Sequence, residues 1–193
     1  MTCATSFDDG VAGRAPIVVL ADGPPIHLRP VTPADEPLVA DAIRTASPQT
    51  ILHRFFTPLR DLSTAELRRL LTIDPAQGAC IVGEVETPNG KRIVCGARYV
   101  RLGDPAVAEI ALTVHDDFQG RGIGAFLLRQ LIDRGRADGI RTFVGDVLAT
   151  NTPMLRLLRG LAPRRRATYT AGVCHVEFDL TDISLSLTET PGA

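Results

Sequence analysis

One segment constrains this chain more than any other. It runs Val107-Ala108-Glu109-Ile110-Ala111-Leu112-Thr113-Val114, then His115-Asp116-Asp117-Phe118, then Gln119-Gly120-Arg121-Gly122-Ile123-Gly124. The apolar, β-branched run predicts a strand over Val107 to Val114. Ile123, Phe126, Leu127, Leu131 and Ile132 then recur at helical spacing, and Gly139 marks the stop, so a helix is predicted over Gly122 to Asp138. A strand, a glycine-rich loop and a helix follow one another without a gap. The first turn of a helix has N–H groups with no intrahelical partner, and its dipole favours negative charge. Glycines there let the backbone approach an anion closely. The segment therefore predicts a phosphate cradle.

Spacing separates this cradle from two nucleotide loops. A Walker loop needs Gly-Lys-Ser or Gly-Lys-Thr, and the chain has no Lys-Ser or Lys-Thr pair. A Rossmann fingerprint needs Gly-x-Gly-x-x-Gly, whereas Gly120, Gly122 and Gly124 read Gly-x-Gly-x-Gly. The pattern that remains is Gln-x-x-Gly-x-Gly, at Gln119, Gly122 and Gly124.

A chain of 193 residues holds one domain with a substantial core. Apolar residues are 45% and charged residues 22%, ordinary globular usage. A net charge of −1 gives no global field to attract nucleic acid or an anionic membrane. No run reaches the length of a membrane span, and the N-terminus has neither a basic region nor an apolar one of the kind that directs secretion. A cytoplasmic location is the expectation. Cys3, Cys80, Cys95 and Cys174 are scattered; the last three sit in apolar runs where buried free thiols are the rule, so no metal is expected.

Residues 1 to 15 are small, polar and aperiodic and read as a disordered lead. Ile17–Leu20 and Ile26–Val31 flank Asp22-Gly23-Pro24-Pro25 as a hairpin. Thr32-Pro33 starts a helix carrying Leu38, Val39, Ala42 and Ile43. Ser47-Pro48 starts a second, with Ile51, Leu52, Phe55 and Phe56 on one face, and Ser63-Thr64-Ala65-Glu66 is a capping box for a third. Residues 79–85 and 93–100 read as strands around Pro88-Asn89-Gly90. After the helix come a strand over Thr142 to Leu148, a short helix from Thr152-Pro153 to Leu158, and at least one strand within Thr168 to Leu180. One domain over 16–182 is expected, with residues 183–193 as a tail. An antiparallel meander followed by β-α-β-α-β makes a mixed α/β sheet with helices on both faces.

Gln119-Gly120-Arg121-Gly122-Ile123-Gly124 resembles the acyl-CoA pyrophosphate loop of the GNAT acetyltransferases, and the element order over about Ile26 to Leu180 is similar to theirs. Leu28-Arg29-Pro30-Val31-x-Pro33-x-Asp35, Ser47 through Phe56, Ala108 through Gly124 and Asn151-Thr152-Pro153-Met154 resemble the acetyltransferase domain of bacterial Pat-type protein lysine acetyltransferases. The resemblance implies a GNAT fold and acetyl-CoA as co-substrate, with a protein lysine as acceptor, among which acyl-CoA synthetases are candidates. It implies that the N–H groups of Gln119, Gly120, Arg121, Gly122, Ile123 and Gly124 hold the pyrophosphate, and that pantetheine pairs with the strand end at Leu112, Thr113 and Val114. A small amine as acceptor, or a module that binds acyl-CoA without turnover, are the alternatives.

Amine acetylation needs a base, because an ammonium has no lone pair. Glu109 is the candidate. A carboxylate inside an apolar strand is costly unless paired or functional, and burial would raise its pKa toward neutrality. The other reading is an edge-strand Glu that faces solvent or pairs with an Arg. Asn151 is read either as a partner for a pantetheine amide or as the cap of the following helix. Arg121 is read either as a charge contact to CoA or as a solvated side chain. Many GNAT enzymes carry a Tyr acid seven residues beyond this Asn; here that position is Leu158.

Overall fold

The computed structural model describes residues 17–18, 23–59 and 61–183. The predicted lead, Cys3, the second half of the first strand and the tail beyond 183 lie outside the described residues. Among the described residues, eight strands form one sheet in the order β1-β2-β3-β4-β5-β6-β8-β7. They are β1 (Ile17–Val18), β2 (Ile26–Pro30), β3 (Gly78–Thr87), β4 (Gly90–Arg101), β5 (Val107–Val114), β6 (Thr142–Leu148), β7 (Arg166–Thr170) and β8 (Val173–Asp179). The helices are α1 (Glu36–Thr45), α2 (Pro48–Phe55), α3 (Thr64–Leu71), α4 (Ile123–Ala137) and α5 (Thr152–Leu161). Every strand pair is antiparallel except β5 with β6.

The predicted mixed sheet is therefore the observed one, with small differences at the boundaries. Pro33–Asp35 first forms a 3-10 turn, so α1 begins at Glu36. Ser47 and Ser63 cap α2 and α3 through their side chains, as their positions before Pro48 and the capping box require. Phe56 leaves α2 in the left-handed region at φ 61° and is 40% exposed, so it does not share a helix face with Ile51 and Phe55. The last strand prediction becomes a hairpin, because Ala171 and Gly172 both take positive φ and reverse the chain between β7 and β8. Ile183, expected in the tail, packs into the core at 5% exposure.

Parity along β5 sorts the two layers. Ile110 and Leu112 face α4 and α5 together with Leu127, Leu131, Phe143 and Leu158. Ala111 and Thr113 face the opposite layer, α1 to α3. A bulge at Val94, where Gly83 pairs with Cys95 but Glu84 pairs with Ile93, leaves the Val94 carbonyl to accept from His115 N–H at 2.8 Å.

The helical layer is fastened to the sheet by a charge cluster at the start of α1. Arg29 of β2 donates to Asp35 at 2.7 and 2.8 Å and to Glu84 of β3 at 2.6 and 2.8 Å, and Lys91 of β4 also donates to Glu84. Asp35 and Glu84 are buried. The hydrogen bond from Arg29 is the main reason that the Asp35 carboxyl is held down at about 2, against the opposing effect of burial. Burial would raise Glu84, but the bonds from Lys91 and Arg29 outweigh it and hold that carboxyl below its ordinary value. A depressed folded-state pKa stabilises the fold above the unfolded value, near 3.8, and that contribution is lost as pH falls toward 2. The Asp35 depression corresponds to about 2 kcal/mol. Asp35→Asn should therefore lower unfolding free energy in urea at pH 7 by about that amount or more, with the gap from wild type closing between pH 4 and pH 2. A gap that does not change with pH would remove the ion cluster from this role.

Candidate active site

The loop between β5 and α4 turns its backbone outward. Gly120 and Gly122 have φ of 74° and 80°, and a Cβ built on either meets nothing within 4 Å. Conformation rather than crowding demands glycine here, and the space beside the loop is open. The first hydrogen bond into α4 runs from Phe126 N–H to Gly122 C=O at 3.1 Å. Among the described residues, the N–H groups of Gly120, Gly122, Ile123, Gly124 and Ala125 have no protein acceptor. They sit at the positive end of a helix of 15 residues.

Gln119 departs from expectation. Its N–H closes the 3-10 turn Asp116–Phe118 by donating to Asp116 C=O at 3.2 Å, so it is not free for an anion. Its side-chain amide donates to Thr50 Oγ1 at 3.0 Å and to Val114 C=O at 2.9 Å. Gln119 thus straps the loop to α2 and to the end of β5. The Arg121 guanidinium lies 5.5 Å from the centre of the Phe118 ring, and the residue is exposed.

The opening that receives this loop comes from the sheet. β5 and β6 pair only over Val107–Glu109 with Thr142–Val144 and then diverge. Residues of odd number on β5 turn their backbone groups to β4: Leu102 N–H donates to Val107 C=O and His115 N–H to Val94 C=O. Residues of even number face β6, so past the last ladder bond the N–H of Leu112 and of Val114 open on the gap.

Two cavities meet there. A groove of about 800 Å³ is lined by Leu112, Thr113 and Val114, by Gln119, Gly120, Gly122, Ile123 and Gly124, and by Asn151. A second cavity of about 200 Å³ lies between the diverging strands, bounded by Glu109, Ala111, Leu112, Gly145 and Asn151. The structure thus gathers every expected cofactor-binding residue except Arg121 around one groove, with Glu109 at the adjoining cavity. Asn151 caps α5, accepting from Met154 N–H at 3.2 Å, and also lines both cavities, so both readings of it hold geometrically.

Glu109 corrects the expectation of burial. It is exposed, because strand alternation turns it away from the core partners of Ala108 and Ile110 and past the edge of the α1–α3 layer. Leu158 is buried at 2% exposure beside the same cavity; Tyr99 is buried against Asp138, and Tyr169 is 60% exposed on β7. Neither tyrosine lines the two cavities.

The family model described as the Acetyltransferase (GNAT) family matches residues 46–162, which span α2 through α5. The chain belongs to the GNAT acetyltransferase family. It is 33% identical to the acetyltransferase PA5475 of Pseudomonas aeruginosa over 135 residues, 70% of this chain and 73% of that protein. It is 37% identical to the acetyltransferase Pat of Mycolicibacterium smegmatis over 133 residues, 68% of this chain but only 39% of that longer protein. The GNAT domain of S. lividans PAT superposes with a TM-score of 0.74 at 28% identity, covering 84% of this chain and 95% of that domain.

Arg129, Arg156 and Thr50 of this GNAT site do not stand out individually in the sequence, whereas His53, beside Arg54, is a candidate for the acceptor entrance or for plain helix-surface exposure. Arg129 and Arg156 bring two cations to the groove, and Thr50, His53 and Arg54 of α2 form its far wall. Arg129 follows Ala125 by one helical turn, and Arg156 stands one turn after Pro153 and before Gly160, all groove residues, so helical spacing was the available signal. Asp116 was also missed. It accepts from Ser47 N–H at 2.8 Å, Ser47 Oγ at 2.6 Å and Thr50 Oγ1 at 2.8 Å. Burial opposes ionisation of Asp116, but these bonds prevail and hold its carboxyl below the ordinary value. Asp116→Ala should cost about 2 kcal/mol in unfolding free energy. It should also speed hydrogen exchange at the Ser47 amide; exchange unchanged at Ser47 would show that α2 is held by other contacts.

Proposed function

We propose that this protein transfers an acetyl group from acetyl-CoA to the ε-amine of a protein lysine by direct attack on the thioester. The observation that carries the reading is the row of unpaired N–H groups, Gly120 and Gly122 to Ala125, opening on a groove that runs into the gap between β5 and β6. Such a row, at a helix N-terminus, suits a diphosphate. Arg129 and Arg156 add positive charge along the same wall. The exposed edge of Leu112 to Val114 offers backbone partners to the two amides of pantetheine, and the free side-chain N–H₂ of Asn151 offers another. In this pose the Leu112 N–H faces the thioester carbonyl and stabilises the oxyanion that forms there.

Glu109 takes the proton of the incoming ammonium, directly or through a water. The amine nitrogen then attacks the carbonyl carbon, a C–N bond forms, and the C–S bond breaks as the thiolate of CoA departs. With Leu158 where a tyrosine acid would stand, solvent protonates that thiolate. Exposure of Glu109 suits an acceptor displayed on another protein, since the lysine reaches the base from bulk water. The matches to Pat of M. smegmatis and to the GNAT domain of S. lividans PAT agree with the Pat-type resemblance of the sequence; that resemblance, not the names of these relatives, implies a protein acceptor, with acyl-CoA synthetases as candidates in a cytoplasmic setting.

Incubation with labelled acetyl-CoA and a panel of proteins and small amines, followed by mass-spectrometric location of the label, tests the acceptor class. Label on a lysine of a protein is the expected result; label confined to small amines would overturn it. Glu109→Gln should lower kcat/KM for the acceptor by about 10²-fold or more and leave acetyl-CoA affinity in place. Full activity of that variant at neutral pH would remove Glu109 as the base.

A further inference from the structure

A third cavity lies on the other side of β5, between the α1–α3 layer and strands β3 to β5. Its walls are apolar: Val39, Ile43, Ile51, Leu71, Val82 and Ile93 account for much of them. Its volume, about 130 Å³, is close to that of an engineered apolar cavity of about 150 Å³ that admits benzene. Two arginines line this apolar space, Arg54 from α2 and Arg98 from β4. Both are half-buried, and among the described residues neither makes a side-chain hydrogen bond or salt bridge. The close partner of Arg54 is the Phe55 ring, 5.0 Å from its guanidinium. Glu109 acts on Arg54 only through space and is itself exposed. Carboxylates on and beside this layer are engaged elsewhere: Asp35 and Glu84 with Arg29, Asp116 with Ser47 and Thr50, Glu36 with Arg68, Asp41 with Arg44 and Glu66 with Ser63. Desolvation and repulsion by Arg98 push the Arg54 guanidinium below its usual range, the sign of a cation held without its counter-ion.

A separate observation concerns a neutral group. Among the described residues, Thr113 Oγ1 is the buried side-chain oxygen without a hydrogen-bond partner, and Thr113 lines this same cavity. A hydroxyl left unsatisfied in an apolar pocket costs free energy unless something binds to it.

We propose that this cavity binds a small carboxylic acid with a compact apolar body. The body fills the space under α1 to α3, the carboxylate is held by Arg54 and Arg98, and the Thr113 hydroxyl, closed off in the free protein, turns to it as it binds. Planar guanidinium forks match carboxylate geometry, and burial of the opposite charge relieves the repulsion between the two arginines. Arg54 also lines the groove and the cavity beside Glu109, so an occupant that fixes its guanidinium acts on the acetyl-transfer site from the opposite face of β5.

Isothermal titration of the full chain tests this with isovalerate, hexanoate and benzoate, each beside the alcohol of the same carbon skeleton. At least one carboxylate should bind about tenfold or more tightly than its alcohol, the worth of one charge-assisted hydrogen bond. Arg98→Ala should abolish that preference, with Arg98→Lys as the variant that keeps the fold and charge and restores part of it. Thr113→Val should raise the midpoint of thermal unfolding of the free protein while weakening the carboxylate, an opposition that a purely structural threonine would not show. Equal binding of alcohols and carboxylates, no binding of any carboxylate at millimolar concentration, or an undiminished preference in Arg98→Ala would each overturn the assignment. Acetyl-CoA titrated in the same experiment reports the groove separately, so failure of one site is distinguished from failure of the other.

Discussion

The early end of the β5–β6 ladder organises this molecule. Three paired residues on each strand hold the only parallel junction among the described strands, and past Glu109 the strands separate. A sheet that continued to pair there would have no opening and no exposed backbone edge at Leu112 and Val114. With the opening in place, the glycine loop can lie across its mouth. The first turn of α4 then points its unpaired N–H groups into the same groove. Everything proposed for the site, from the diphosphate cradle to the base, is distributed along this one divergence.

The loop is held by contacts that the chemistry does not use. Gln119 reaches α2 and the end of β5, while Asp116 gathers the capping residue Ser47 and Thr50. Helix α2 is thus tied to the cradle through a short polar chain, and the same helix carries Arg54 into all three cavities. A change on the α1–α3 side of β5 therefore has a physical route to the groove, through one side chain and one strand.

Much of this was legible from residue order. The strands Val107–Val114 and Thr142–Leu148 and the helix after Gly122 stand where period and glycine placement put them. These segments have strong local signals and little competition from tertiary contacts. The β7–β8 hairpin was hidden because one of its two turn residues is Ala171, a non-glycine residue at φ 49°, which no turn rule anticipates. The exposure of Glu109 was hidden for another reason. β5 carries apolar side chains on both faces, so alternation does not reveal which face reaches solvent at its N-terminal half. The backbone glycines and Asn151 were readable as a motif, whereas Arg54, Arg98, Arg129 and Arg156 converge only when α2, β4, α4 and α5 pack. Gln119 holds a cradle position in the motif but acts as a strap, since a motif position does not say whether its backbone or its side chain is engaged.

A ¹H–¹⁵N correlation experiment with added acetyl-CoA tests the diphosphate cradle residue by residue. The amides of Gly120, Gly122, Ile123, Gly124 and Ala125 should shift most strongly and saturate together, with Leu112 and Val114 following as the thioester arm enters the gap. Saturating acetyl-CoA that leaves those amides where they were, and moves resonances elsewhere in the sheet, would contradict it.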